Sequence, residues 1–225
     1  MIQFDFAAVL GDWPLLLRGA AATLGLTAVS SALGLGLGIA CARARTHGAA
    51  PLRAAAGAYV ELIRNTPFIV QLFFIFFGLP STGLHLGSET ASALAMTLNL
   101  GAYAAEIVRA GIAGTPHGQI EAARSLALTE RQVFLRVVLP PALGRVWPAM
   151  VSQIVIVMLG SAVCGQIATQ ELSYYANLIM SRNFRYFEAN FVAGAAYLVL
   201  AIGVRQALAW AGPRWIFGRT LRAGR

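Results

Sequence analysis

The sequence predicts an all-α, polytopic membrane protein with five transmembrane helices, and three observations predict it. Hydrophobic residues make up 58% of the 225-residue chain and charged residues only 12%, with a mean hydropathy of +0.68. A water-soluble fold of that composition has too few polar side chains to cover its apolar surface. Charge-poor stretches recur at about the 20-residue length that a hydrocarbon core about 30 Å thick demands of a helix. All 17 basic residues are arginines, against nine acidic residues. They cluster between the apolar stretches, which the positive-inside rule explains without invoking nucleic acid.

The first span covers about 19–42. Its Gly34, Gly36 and Gly38 follow no strand, so they do not form a phosphate-binding loop. Gly34 and Gly38 instead make a GxxxG pair, which lets membrane helices approach closely. Arg43, Arg45 and Arg53 mark the loop that follows. A second span at about 59–79 ends in the turn-forming Pro-Ser-Thr-Gly run at 80–83. The third, about 88–107, carries Glu89 near its start and opens into the longest polar stretch, 109–145, with five arginines. The fourth, about 146–168, is followed by a loop with Glu171, Arg182, Arg185 and Glu188, and the fifth, about 190–210, by a basic tail. The expected organisation is an extracytoplasmic segment at 1–18, a transmembrane domain at 19–212 with a cytoplasmic loop at about 109–145, and a cytoplasmic tail at 213–225.

Five spans place the termini on opposite sides, and arginine bias selects the orientation. Loops one and three with the tail hold twelve arginines, while Arg18, Arg182 and Arg185 fall on the other side. The N-terminus is therefore expected outside and the C-terminus in the cytoplasm, with Arg64 and Arg205 snorkelling to the cytoplasmic interface. The first seventeen residues contain Asp5 and Asp12 but no Lys or Arg, so they lack the basic n-region of a signal peptide and are expected to belong to the mature chain.

Enzymatic chemistry has little to stand on. No H-E-x-x-H, C-x-x-C, G-x-S-x-G or Walker A pattern occurs, and His47, His85 and His117 lie in separate loops. No catalytic residue, metal site or cofactor is expected. No Asp follows Asp12, which removes an aspartyl intramembrane protease. Cys41 and Cys164 read as small buried hydrophobes.

The informative segment is Glu121-Ala122-Ala123-Arg124-Ser125-Leu126-Ala127, followed after nine residues by Val137-Val138-Leu139-Pro140. It resembles the EAA loop of ABC importer permeases, whose pattern is E-A-A, a Gly four positions after the second Ala, and a later hydrophobic-x-Leu-Pro. Gly101-Ala102-Tyr103, Glu106 to Arg109, Pro116, Gly118 and Gln119 are similar to the polar amino-acid branch of that family. So are Glu61-Leu62-Ile63-Arg64-Asn65-Thr66-Pro67, Gln71 to Phe74 and Gly78-Leu79-Pro80. The resemblance covers about residue 23 to the tail. It implies the five-helix, MetI-like ABC importer permease fold in a bacterial cytoplasmic membrane, carrying a polar amino acid or an opine-like solute.

The implied partners are a cytoplasmic ABC ATPase dimer, a second permease subunit, identical or similar, and an extracytoplasmic solute-binding protein; nucleic acid is not among them. In the family the EAA loop docks in a groove of the ATPase, which assigns coupling roles to Glu121, Ala122, Ala123, Ala127, Leu139 and Pro140. The residues themselves predict a helix over 121–126, with Glu121 near its N-terminus, and a capping box of Thr129 and Gln132 opening a second short helix. Pro140-Pro141 is expected to stop that helix.

Two positions depart from the family. Ala127 replaces the usual glycine, so either the turn avoids the left-handed conformation or it bears a strain of about 1 kcal/mol or somewhat more. Leu159-Gly160-Ser161-Ala162 stands where many relatives carry Lys-Asp-Thr-Ser, which removes the acidic partner that a lysine or arginine substrate would seek. Polar residues inside spans are expensive and point to a pathway, which selects Gln71, Asn99, Tyr103, Gln153, Ser161 and Gln166; the alternative is hydrogen bonding that only holds the bundle. Glu61 and Arg64 are expected to form an interface ion pair. An ion-gradient-driven transporter or channel is the rival class; inverted repeats and buried ionisable residues mark such proteins, and five spans with few mid-membrane charges offer neither.

Overall fold

The computed structural model describes residues 4–212 and 214. All regular structure among them is helical: α1 (Ala7–Leu10), α2 (Trp13–His47), α3 (Ala50–Arg64), α4 (Phe68–Phe73), α5 (Ser88–Ala113), α6 (His117–Ser125), α7 (Glu130–Gln132), α8 (Leu139–Gly160), α9 (Leu172–Asn183) and α10 (Tyr186–Ala211). Four helical segments cross a membrane by length and composition, and the bent pair Ala50–Arg64 with Phe68–Thr82 makes a fifth span. The first span, α2, begins at Trp13, ahead of the expected residue 19. Nearly all of the expected tail at 213–225 lies outside the described residues.

α5 is the central helix, with 61% of its apolar window buried, against 17% for α10 and 22% for α2. It is rich in Ala and Gly on the faces that meet its neighbours, and α2 packs along it with the expected glycine pair at the contact. A Cβ on Gly34 would sit 3.0 Å from Leu100 Cβ, and one on Gly38 only 2.5 Å from Ala104 Cβ. Without a water-driven hydrophobic force between helices in lipid, such close van der Waals packing carries the association. The outward faces keep large apolar side chains exposed, Val29 and Leu33 on α2 and Leu198, Val199 and Ile202 on α10, which is a lipid-facing pattern.

Two spans differ from the expected straight helices. The second is broken by 112° between α3 and the Phe68–Thr82 segment. Pro67 supplies no N–H and disfavours a helical Thr66, and Asn65, Thr66 and Pro67 form the corner. The fourth shows the opposite behaviour: Pro140 and Pro141 do not end a helix. The chain runs as one span from Glu130 to Ile167, because Val133–Val138 is wound as a π-helix just before the prolines. The wider turn absorbs the missing N–H groups and ring bulk at the carbonyls of Arg136 and Val137, and the prolines fall in the first turn of α8.

Candidate functional site

The EAA segment forms a compact helix–turn–helix on one end of the bundle. α6 starts after Pro116 and ends in a Schellman turn: the Leu128 N–H donates to the Ala123 carbonyl (3.4 Å) and the Ala127 N–H to that of Arg124 (2.9 Å). Ala127 takes the left-handed conformation at φ 56°, so the turn bears the strain that a glycine would relieve. The expected capping box is present: the Gln132 N–H donates to Thr129 Oγ1, and the Thr129 N–H to Gln132 Oε1 at 2.8 Å. Across the turn Arg124 Nε donates to Glu130 Oε1 at 2.9 Å, and that carboxylate holds the Arg124 guanidinium above its usual pKa. Both side chains are exposed, so the pair adds little stability to the turn that it bridges.

Two details correct the expected loop. Glu121 is the fifth residue of α6 and outside its first turn, so the N-terminal helix dipole does little for its carboxylate. Ala122 is exposed, but Ala123 is only 4% exposed and packs inward against the π-helical stretch. The exposed face of the helix is therefore Glu121, Ala122, Ser125 and Leu126, the last 76% exposed. Leu139 and Pro140 are half-buried in the first turn of α8 and tie the loop to the fourth span.

The residues expected along a pathway separate into those with committed polar groups and those without. Gln71 is buried, and its Nε2 donates to the carbonyls of Ile63 (2.7 Å) and Thr66 (3.0 Å), while its Oε1 accepts from Asn99 Nδ2 at 3.1 Å. It thus caps the broken end of α3 and joins it to α5. Ser161 is fully buried and donates back to the Met158 carbonyl. Tyr103 lies under Arg64, whose guanidinium is 5.5 Å from the ring centroid. That stacking stands where an ion pair to Glu61 was expected; no such pair occurs among the described residues. Gln153 is half-buried and Gln166 exposed, and neither shares a hydrogen bond with the Gln71–Asn99 pair.

Sequence reasoning missed two charged clusters. Arg45 and Arg109 were assigned to loops, yet both are helical and grip Glu106 of α5, Arg45 reaching across from α2. The helical spacing of Glu106 and Arg109 was a usable signal. Glu171, placed in a polar loop, has no exposed surface. It caps α9 by accepting from the Tyr174 N–H at 2.8 Å and also accepts from the Tyr197 hydroxyl of α10, and burial pushes its carboxyl above the usual range.

The family model described as "Binding-protein-dependent transport system inner membrane component" matches residues 34–216. A probable glutamine ABC transporter permease protein of Bacillus subtilis (strain 168) is 38% identical over 152 residues, covering 68% of this chain and 70% of its own length. The glutamine transport system permease protein of Escherichia coli (strain K12) is 33% identical over 203 residues, covering 89% and 93%. Among solved structures, an amino acid ABC transporter crystallised with histidines superposes with a TM-score of 0.84 at 33% identity, covering 95% of this chain and all of that one. An inward-facing methionine ABC transporter gives a TM-score of 0.70 at 26% identity, covering 92% and 96%.

Proposed function

We propose, on the premise that this chain belongs to the family of binding-protein-dependent transport system inner membrane components, that it forms the translocation path of an importer for polar amino acids. It is a permease subunit of an ABC importer, seated in the inner membrane and distinct in class from ion-gradient-driven carriers. The relatives are named for glutamine, cystine and arginine, and the missing acidic residue at 159–162 favours a solute without a side-chain cation. In this reading a separate ATPase dimer hydrolyses ATP, a second permease subunit completes the path, and a solute-binding protein delivers the substrate from outside. The coupling loop and the C-terminus face the cytoplasm and the N-terminus the outside.

One observation carries the coupling role: the loop projects Glu121, Ala122 and Leu126 on a rigid turn that is continuous, through the π-helical stretch, with the fourth membrane span. Closure of the ATPase pair pulls on that turn, and the helical lever transmits the motion to Gln153 and Ser161. Glu121→Ala and Ala122→Trp are expected to insert normally yet to abolish uptake, with the ATPase co-purifying weakly or no longer stimulated by loaded binding protein. Wild-type uptake and stimulation in both variants would refute the coupling role. Orientation is tested separately: a cysteine at Gly87 should label with an impermeant reagent in intact cells, and one at His117 only after permeabilisation.

A further inference from the structure

Between the last turns of α2 and the coupling loop lies an open groove of about 870 Å³. Its α2 wall is one helical stripe, Gly36, Ala40, Arg43 and His47, at the i, i+4, i+7 and i+11 spacing of a single face. The deeper half is apolar and unobstructed: Ile39 and Val138 line it, and a Cβ placed on Gly36 would meet nothing within 4 Å. About 10 Å farther along the helix axis the wall turns cationic. Arg43 has no carboxylate partner among the described residues; its guanidinium rests 5.0 Å from the centroid of the Phe134 ring, whose edge also meets His47, and it donates no hydrogen bond. Arg124, held in place by Glu130, stands at the same end with His117. Two guanidiniums line that end against one lining carboxylate, Glu130, while Glu121 acts on Arg124 from outside the groove.

We infer that this groove binds one anionic phospholipid of the adjoining leaflet, its phosphate between Arg43 and Arg124 and an acyl chain along Gly36 and Ala40. The polarity changes along the helix axis in the sense a lipid changes, and over a comparable distance. A 35-residue α2 is about 52 Å long, far more than the hydrocarbon thickness of about 30 Å, so its final turns reach the headgroup layer where Arg43 sits. Guanidinium recognises phosphate through paired N–H donors, and basic pockets between membrane helices take anionic headgroups in this manner. A soluble phosphate would leave the apolar half empty, and an acidic peptide of the ATPase would leave the slot beside Gly36 unfilled. That the adjoining leaflet is the cytoplasmic one rests on the orientation proposed above; the site itself does not.

The test is native mass spectrometry of the purified full chain in detergent, titrated with phosphatidylglycerol and with phosphatidylcholine. Phosphatidylglycerol is expected to be retained selectively. Arg43→Gln should weaken that retention about fivefold, Gly36→Leu should abolish it by filling the slot, and Arg53→Gln, exposed and outside the groove, should leave it unchanged. Equal retention of the two lipids by the wild-type chain, or no loss in Arg43→Gln, overturns the proposal even if Gly36→Leu fails to fold. Displacement of the lipid by inorganic phosphate, with phosphate bound equally by Gly36→Leu, would make this a soluble-anion site. Displacement by the ATPase subunit would make it part of the docking face. An inverted orientation would appear in the His117 cysteine labelling and leave lipid retention as it is.

Discussion

At two places in this protein proline interrupts a membrane span, and it does opposite things there. At Pro67 the second span turns through 112°; at Pro140 and Pro141 the fourth runs on from Glu130 to Ile167. The difference lies in where the freed carbonyls go. At the corner a side chain, Gln71, takes over the carbonyls of Ile63 and Thr66, so the backbone is free to leave the helix axis. In the fourth span the preceding turn widens into a π-helix, so the axis is kept and one residue is added to the winding. A proline is thus a corner where a partner waits for its orphaned groups, and a register shift where the helix supplies the partner itself.

The largest effect should come from removing the partner. Gln71→Leu leaves the Thr66 carbonyl unmatched and the Ile63 carbonyl with only long bonds from Thr66, at about 1–3 kcal/mol for a buried group, and should lower the thermal midpoint of the purified complex and abolish uptake. Asn99→Leu, which costs only the bond to Gln71, should be milder. Equal effects of the two would mean that the corner does not depend on the amide. The second test relaxes the other region. Replacing both Pro140 and Pro141 with Ala should let the π turn return to α-helix, rotating the loop about 100° relative to the span. The variant should be at least as stable as the wild type yet poorly coupled, which ATP hydrolysis stimulated by loaded binding protein would report. Normal stimulation would show that the register does not matter.

A third turn in the molecule needs no proline. Ala127 closes α6 in a left-handed conformation, and Ala127→Gly should stabilise the loop by about 1 kcal/mol while preserving or raising uptake. It is the smallest of the three effects. A fall in stability would mean that the alanine methyl makes a contact worth more than its strain.

Much of this was legible in the residues. Hydropathy found five spans, Gly34 and Gly38 announced a close helix approach though not its partner, α5, and Thr129 with Gln132 announced the cap. The corner at Pro67 was not, because a hydropathy window averages over a break whose cause is one missing N–H and one amide four residues on. Pro140-Pro141 looked like a stop because sequence rules treat proline against an α-helical ladder and give no weight to a π turn upstream. The inward face of Ala123 and the burial of Glu171 were hidden for a related reason: each depends on an element distant in sequence, the Val133–Val138 stretch for one and α10 for the other. Arg43 and Arg45 are two residues apart and were equivalent as loop charges, yet they point to different faces of α2, one to an aromatic ring and one to Glu106.

The saturation of Gln71 bears on how transport selectivity could be changed by evolution or by design. Its two donors and its acceptor are all committed to backbone and to Asn99, so a substitution there alters the architecture before it alters any solute contact. Ser161 is committed in the same way. On the proposed reading, variation in what the path accepts falls to positions with uncommitted polar groups, such as Gln153, Gln166 and the hydroxyl of Tyr103. A library built to alter substrate preference should hold Gln71 and Ser161 fixed and randomise those three.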